Sequence, residues 1–251
     1  MRTPGPPCIS IFPDERAVAQ ALADRVTTEL AERPALVLGL PTGRTPIRFY
    51  QELSARVEQG RVDLSRATTF NLDEFVGIPS THSGSFRSFM NTHLFGRVNL
   101  AAERIHFLDG SAPDTVEECD RYERAIARAG GIDVQILGVG TNGHIGFNEP
   151  APALQPWTHR VTLDPDTRRD NAGLFGGDPA AVPAEALSMG IATILQARQI
   201  LLIATGSGKA SIVAELLRGS VTTEVPGSFL QVHSDVEFLL DEAAAAGLKE
   251  S

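Results

Sequence analysis

Two stretches of this chain carry the residues best suited to moving protons. One is Thr69-Phe70-Asn71-Leu72-Asp73-Glu74-Phe75, and the other runs from Gly138 to Pro150 as GVGTNGHIGFNEP. A carboxylate at the C-terminal end of an apolar strand, shielded from water, has its pKa raised toward the range of a general base. Adjacent strand side chains point to opposite faces, so only one of Asp73 and Glu74 can face a site; such acids also serve as turn formers or helix caps. His144 can give and take a proton near neutral pH, and Glu149 and Asn142 are close enough in sequence to fix its ring and tautomer. The plainer alternative is a histidine that satisfies loop backbone groups.

The first six residues of GVGTNGHIGFNEP fit Gly-x-Gly-x-x-Gly, the loop that cradles a dinucleotide pyrophosphate. That fingerprint needs its last glycine to open a helix, with an acid about 20 residues further on. Asp164 meets the second condition. The first fails, because Gly146, Asn148, Pro150 and Pro152 follow and no amphipathic stripe passes through them. A nicotinamide cofactor is therefore not expected.

Two further loops suit an anion. Pro41-Thr42-Gly43-Arg44-Thr45-Pro46 lies between an apolar strand and a helix that Pro46 can open, so it offers unpaired backbone N–H groups and the hydroxyls of Thr42 and Thr45. An ordinary strand-to-helix turn has the same composition. Thr205-Gly206-Ser207-Gly208-Lys209 resembles a Walker A loop only in part, since Ile203 stands where a glycine is required and Ala210 where a hydroxyl is required. Lys209 at a helix start sits at the unfavourable end of the dipole, which a bound anion would explain; the alternative is a solvated surface lysine.

The elements that must position these residues follow the α/β pattern. Short runs rich in Val, Ile and Leu alternate with segments of helical period, which predicts a mostly parallel sheet with helices on both faces. Strands are expected at 35–40, 67–72, 104–108, 134–139, 160–163, 200–205 and 236–240. Behind Asp14 as N-cap, Val18, Leu22, Val26 and Leu30 predict the first helix. Further helices are expected after Pro46 and at 85–95, 114–129, 184–197 and 208–218. The residues from Glu149 to Trp157 and from Thr167 to Pro183 read as irregular, which suggests a lid around 150–183 rather than a domain boundary. The whole of 1–251 reads as one domain.

Bulk composition excludes several functions. The net charge of −9 over 251 residues disfavours an electrostatic grip on nucleic acid or anionic lipid, so any anionic ligand must be held locally. Cys8 and Cys119, the two cysteines, have neither disulfide-framework nor metal-ligand spacing. No run of about 18 apolar residues offers a membrane span, and the start lacks a signal-peptide core. A cytoplasmic location is expected, with no metal.

Taken together, LGLPTGRTP, TFNLDEFVGIP, HSGSFRSFM, GVGTNGHIGFNEP, TGSGK and VPGSFLQVHSDVEFLLDEAA resemble, in this order and over nearly the whole chain, the glucosamine-6-phosphate deaminase (isomerase) family, related to 6-phosphogluconolactonases. The Gly-His-Ile-Gly-Phe-Asn-Glu-Pro string favours the deaminase branch. The resemblance implies an open, Rossmann-like sheet of the deaminase/isomerase type. It also implies conversion of glucosamine 6-phosphate and water to fructose 6-phosphate and ammonia without a cofactor. In that reading Asp73 carries the proton between C2 and C1, and His144, held by Glu149 and Asn142, assists ring opening. Thr42, Gly43, Arg44, Thr45, Ser207 and Lys209 then hold the phosphate.

The partner is thus a small sugar phosphate, and a homo-oligomer stays open. Galactosamine 6-phosphate, a lactonase activity and a non-catalytic sugar-phosphate sensor stay open as alternatives. Three departures from the family pattern stand out. Asn142 occupies a position where many deaminases have aspartate. Gly173 aligns with the family's phosphate-contacting arginine, for which Arg44 is the expected replacement. Pro152-Ala153 and His159-Arg160-Val161 stand in place of the segment of regulated members, so regulation by N-acetylglucosamine 6-phosphate is not expected.

Overall fold

The computed structural model describes residues 7–248. In chain order its strands are β1 (Cys8–Phe12), β2 (Val37–Leu40), β3 (Thr68–Asn71), β4 (Asp73–Phe75), β5 (Ile105–His106), β6 (Val134–Leu137), β7 (His159–Thr162), β8 (Glu185–Ser188), β9 (Gln199–Ala204) and β10 (Val236–Asp241). The α-helices are α1 (Glu15–Glu32), α2 (Ile47–Glu58), α3 (Phe86–His93), α4 (Thr115–Arg128), α5 (Pro165–Asn171), α6 (Ile191–Leu195) and α7 (Ala210–Arg218). Among the described residues no helix is long and apolar enough to cross a membrane.

Seven strands form a parallel sheet in the order β1, β10, β9, β6, β2, β3, β5. The apolar runs of the inner strands β2, β6 and β9 and of β10 follow from burial on both faces, whereas the edge strands β1 and β5 are partly exposed. In β9, Ile200, Leu202 and Ala204 join the core that holds Tyr122 of α4 and Val213 of α7, while Leu201 and Ile203 join the core that holds Leu22 of α1 and Phe49 of α2. Each fully buried side chain of this size contributes about 1.5–3 kcal/mol. From the middle of the sheet the chain builds β3 and β5 to one side of β2, and β6, β9 and β10 to the other. The strand order therefore reverses between β2 and β6, where open sheets of this kind bind their ligands.

The expected cap at Asp14 is present, and Ser85 and Asp114 cap two further helices. Asp14 accepts a hydrogen bond from Ala17 N at 2.8 Å, Ser85 from Ser88 N at 3.1 Å, and Asp114 from Val116 N and Glu117 N. The expected parallel sheet and helices on both faces are thus confirmed, with three local corrections.

The segment 184–197 is not one helix. Residues 185–188 form β8, which lies antiparallel between β4 and β7 in a separate three-stranded sheet, and only 191–195 are helical. Pairing to two neighbours overrides the helical propensity of Ala and Leu there. The expected strand near 160–163, seen as β7, belongs to this small sheet and not to the large one. Finally, 167–183 is not irregular, because Asp164 caps α5 with Pro165 in its first turn, and 3₁₀ turns follow at Ala172–Phe175 and Pro179–Ala181. The Asp-Pro start signal accounts for this helix. Strands β1 and β4 were not expected either; β4 is three residues long and exists through its pairing with β8.

Candidate active site

The loops after β2, β3, β6 and β9, four adjacent strands, open onto one cavity of about 740 Å³. Asp73 and His144 line it together with Thr42, Gly43, Arg44, Thr45 and Lys209. The large sheet thus brings the three glycine-bearing loops and the acidic strand end to a single place.

Asp73 and Glu74 divide as the pleat requires. The chain leaves the large sheet at Leu72, whose N–H still donates to Leu40 O, and pairs with β8 so that Asp73 stands opposite Ser188. Asp73 lines the cavity, whereas Glu74 turns into the protein and accepts from Phe75 N, Phe86 N and Arg87 N, each at 2.9 Å. The last two of these donors open α3, so Glu74 fixes that helix on the small sheet. Burial raises the pKa of Glu74, against these hydrogen bonds. Burial, with the charge of Glu74 beside it, pushes the Asp73 carboxyl up to about 8, and its Oδ1 has no hydrogen-bond partner among the described residues. A carboxyl held this way is poised to take a proton from a bound molecule.

His144 sits in a network centred on Glu149. Its Nδ1 lies 3.1 Å from Glu149 Oε2, and a carboxylate only accepts, so Nδ1 carries the proton and Nε2 is left for a ligand. Asn142 Nδ2 donates to the same Oε2 at 2.8 Å, its Oδ1 accepts from His144 N at 3.2 Å, and the Thr167 hydroxyl of α5 donates to Oε1. Burial raises the Glu149 pKa, but the hydrogen bond and charge of His144, with the Thr167 and Asn142 donors, outweigh it and hold the group below its usual value. Asn142 therefore acts on Glu149 and on the loop backbone rather than on the ring nitrogens. The amide supplies a donor where an ionised aspartate would set a second negative charge against Glu149.

The glycines of this loop have a packing reason. A Cβ on Gly140 would lie 2.4 Å from His144 Cε1, so the backbone makes room for the imidazole. After Gly143 the chain makes a turn closed by an Ile145–Asn148 bridge instead of a helix, which removes the pyrophosphate reading.

The cations gather around the other two loops. Burial lowers the pKa of Lys209; the Asp170 carboxylate opposes this and the Arg44 guanidinium adds to it, so both charges act on the ammonium. The loop before Lys209 is pinned by Asp241, which accepts from Gly206 N with Oδ1 at 3.0 Å and Oδ2 at 2.9 Å while Gly206 adopts φ +86°. Ser207, expected as a further donor, is exposed and does not line the cavity. Asn142 and Glu149 also stand behind the lining, holding His144. Three ionisable residues that line the cavity were not expected from sequence: His93 of α3, and Arg169 and Asp170 of α5. The doublet Arg168-Arg169 just before Gly173 was the available signal. Among the described residues no group of three or more His, Cys, Asp or Glu is placed to hold a metal ion.

The model for glucosamine-6-phosphate isomerases/6-phosphogluconolactonase matches residues 13–238. The chain belongs to this family. A glucosamine-6-phosphate deaminase of Rhodopirellula baltica is 47% identical over 95% of this chain and 94% of the relative, and one of Beutenbergia cavernae is 44% identical over 96% and 92%. Among solved structures, a monomeric glucosamine-6-phosphate deaminase superposes with a TM-score of 0.92 at 38% identity, covering 96% of this chain and 99% of that one. A 6-phosphogluconolactonase from Trypanosoma cruzi reaches a TM-score of 0.78 at 18% identity over 98% of both chains, which shows the shared fold alone.

Proposed function

We propose that this protein is a glucosamine-6-phosphate deaminase in which Asp73 is the proton carrier and His144 the ring-opening group. The observation that carries the proposal is a single cavity holding a carboxyl raised to about 8, an imidazole oriented by a carboxylate, and the cations Lys209 and Arg44. Relatives that are 43–47% identical over nearly all of this chain act on the same sugar phosphate by name. His144 moves a proton at the ring oxygen and O1, which frees the C1 aldehyde. Ionised Asp73 removes the C2 proton to give a C1–C2 enolamine and returns it to C1. The C2 iminium so formed adds water and expels ammonia, leaving fructose 6-phosphate. Each positioned acid or base of this kind contributes about 10²- to 10⁴-fold in rate.

Lys209 and the Thr42–Thr45 loop hold the phosphate, with Arg44 as an additional cation. The segment 150–183 covers the site, and the enzyme works in the cytoplasm, where a charged sugar phosphate is retained by the membrane. The direct test supplies pure protein with glucosamine 6-phosphate or galactosamine 6-phosphate in deuterated water and follows ammonia, ketose and isotope. The expected result is ammonia and fructose 6-phosphate from the first substrate, with deuterium at C1. Ketose lacking C1 deuterium would remove Asp73 from its solvent-exchanging role, and no ammonia from either sugar would remove the deaminase reading.

Arg44→Ala is expected to raise KM about three- to tenfold with kcat little changed, a loss kept small because the side chain is exposed. An unchanged KM would take Arg44 out of the phosphate site.

A further inference from the structure

A protein of net charge −9 must hold a phosphate dianion with local cations. The Thr42–Thr45 loop and Lys209 supply one side, but Asp170 sets a negative charge against Lys209. A further part of the lining comes from α5 and the 3₁₀ turn that follows it, through Arg169, Asp170, Asn171, Gly173 and Leu174. At Gly173 this wall offers no side chain, and a Cβ built there would meet nothing within 4 Å. Position 169 lies in the last turn of α5 and position 173 in the 3₁₀ turn that continues it. Both line the cavity.

The two neighbouring arginines of α5 are used differently. Arg168 is tied to backbone, donating to Val182 O at 3.1 and 2.8 Å and to Ala180 O at 3.2 Å, and so braces the segment. Arg169 pairs with Asp166 of its own helix, and the two side chains are 59% and 69% exposed. An exposed pair of this kind is weak and exchanges its partner readily, whereas a guanidinium offers two parallel donors to phosphate oxygens. The same short helix places Thr167 on Glu149, so its position is fixed relative to the imidazole network.

We infer that Arg169 is a phosphate-binding residue of this enzyme, leaving Asp166 to grip the substrate's phosphate together with Lys209 from the stretch of wall where Gly173 offers no side chain. The inference rests on the proposed sugar-phosphate reading. It assigns to α5 a contact with the phosphate through Arg169 as well as the contact with Glu149 through Thr167.

The test measures inorganic phosphate binding by calorimetry, and KM and kcat for glucosamine 6-phosphate, in wild type, Arg169→Ala, Arg169→Lys and the double variant Arg169→Ala/Gly173→Arg. Arg169→Ala is expected to weaken phosphate binding and raise KM by about tenfold each, with kcat changed by less than about threefold. Arg169→Lys should recover part of the loss. The double variant should recover more, since Gly173 has a permitted backbone and open space for the new side chain. Phosphate affinity and KM unchanged in Arg169→Ala would overturn the inference. A fall in kcat alone would also overturn it, making Arg169 a brace of α5. If wild type deaminates neither sugar yet phosphate binding still depends on Arg169, the subsite stands and the assigned reaction falls.

Discussion

Asp73→Asn is expected to lower kcat by at least about 10²- to 10⁴-fold while KM for glucosamine 6-phosphate stays within a few-fold. The amide fills the same volume in the same buried position but cannot accept the C2 proton. Deuterium incorporation at C1 should fall with turnover, because one group carries the proton both ways. The wild-type kcat/KM should rise with pH toward about 8, where burial and Glu74 have placed the carboxyl. Stability should respond in the opposite sense. The folded carboxyl titrates near 8 and the unfolded one near the ordinary 3.8, so between these values the folded chain holds a proton that the unfolded chain releases. Stability therefore falls as pH rises through that window and is flat on either side. The amide of the variant carries no such titration. The difference in Tm between Asp73→Asn and wild type should thus grow in favour of the variant from about pH 5 to about pH 8.5. A difference that stays constant would mean that Asp73 is not held protonated by the fold, and a variant retaining a tenth or more of wild-type kcat would mean that another group removes the C2 proton.

The parts of the fold legible in the sequence were those decided by burial over several residues. β2, β6, β9 and β10 are buried on both faces and read as apolar runs, and α1 announces itself by cap and period. Of the small antiparallel sheet only the strand β7 was legible, and its place in that sheet was not, because these strands are three or four residues long and β4 and β8 take their state from partners distant in sequence. Glu185-Ala186-Leu187-Ser188 would suit a helix in isolation. It is a strand because Asp73–Phe75 and His159–Thr162 flank it.

The site was legible to the depth of residue chemistry and no deeper. Opposed side chains at Asp73 and Glu74 followed from strand geometry, and the failure of the dinucleotide reading followed from the prolines after Gly143. What Gly140 does could not be seen, since its purpose is a contact with the ring of His144 four residues away. Thr167 and Arg169 were hidden for another reason. They lie in a stretch whose helix depends on the Asp164-Pro165 start, and only the folded path of α5 brings them to Glu149 and the cavity.

His144→Gln is expected to lower kcat about 10²- to 10⁴-fold, and its mechanism can be separated from that of Asp73 by choosing a ligand that needs no ring opening. An open-chain 2-amino-2-deoxyalditol 6-phosphate carries the same phosphate and amine but has no hemiacetal. If His144 serves ring opening, His144→Gln should bind this ligand within a few-fold of wild type while losing turnover of the cyclic sugar. Comparable losses in both would make the imidazole a general binding group. The supporting residues should then rank by what they hold. Glu149→Gln removes the charge that favours imidazolium and replaces one acceptor by a donor facing Asn142 Nδ2, so its effect should approach that of His144→Gln. Thr167→Val removes a single hydroxyl donor from Oε1 and leaves the Oε2 contacts to His144 and Asn142 intact. Its effect should be the smallest of the three, about three- to tenfold in kcat. A Thr167→Val effect as large as that of Glu149→Gln would place the control of the imidazole in α5 instead of in the Asn142–Glu149 loop, because only then would the contact from that helix outweigh the two made within the loop itself.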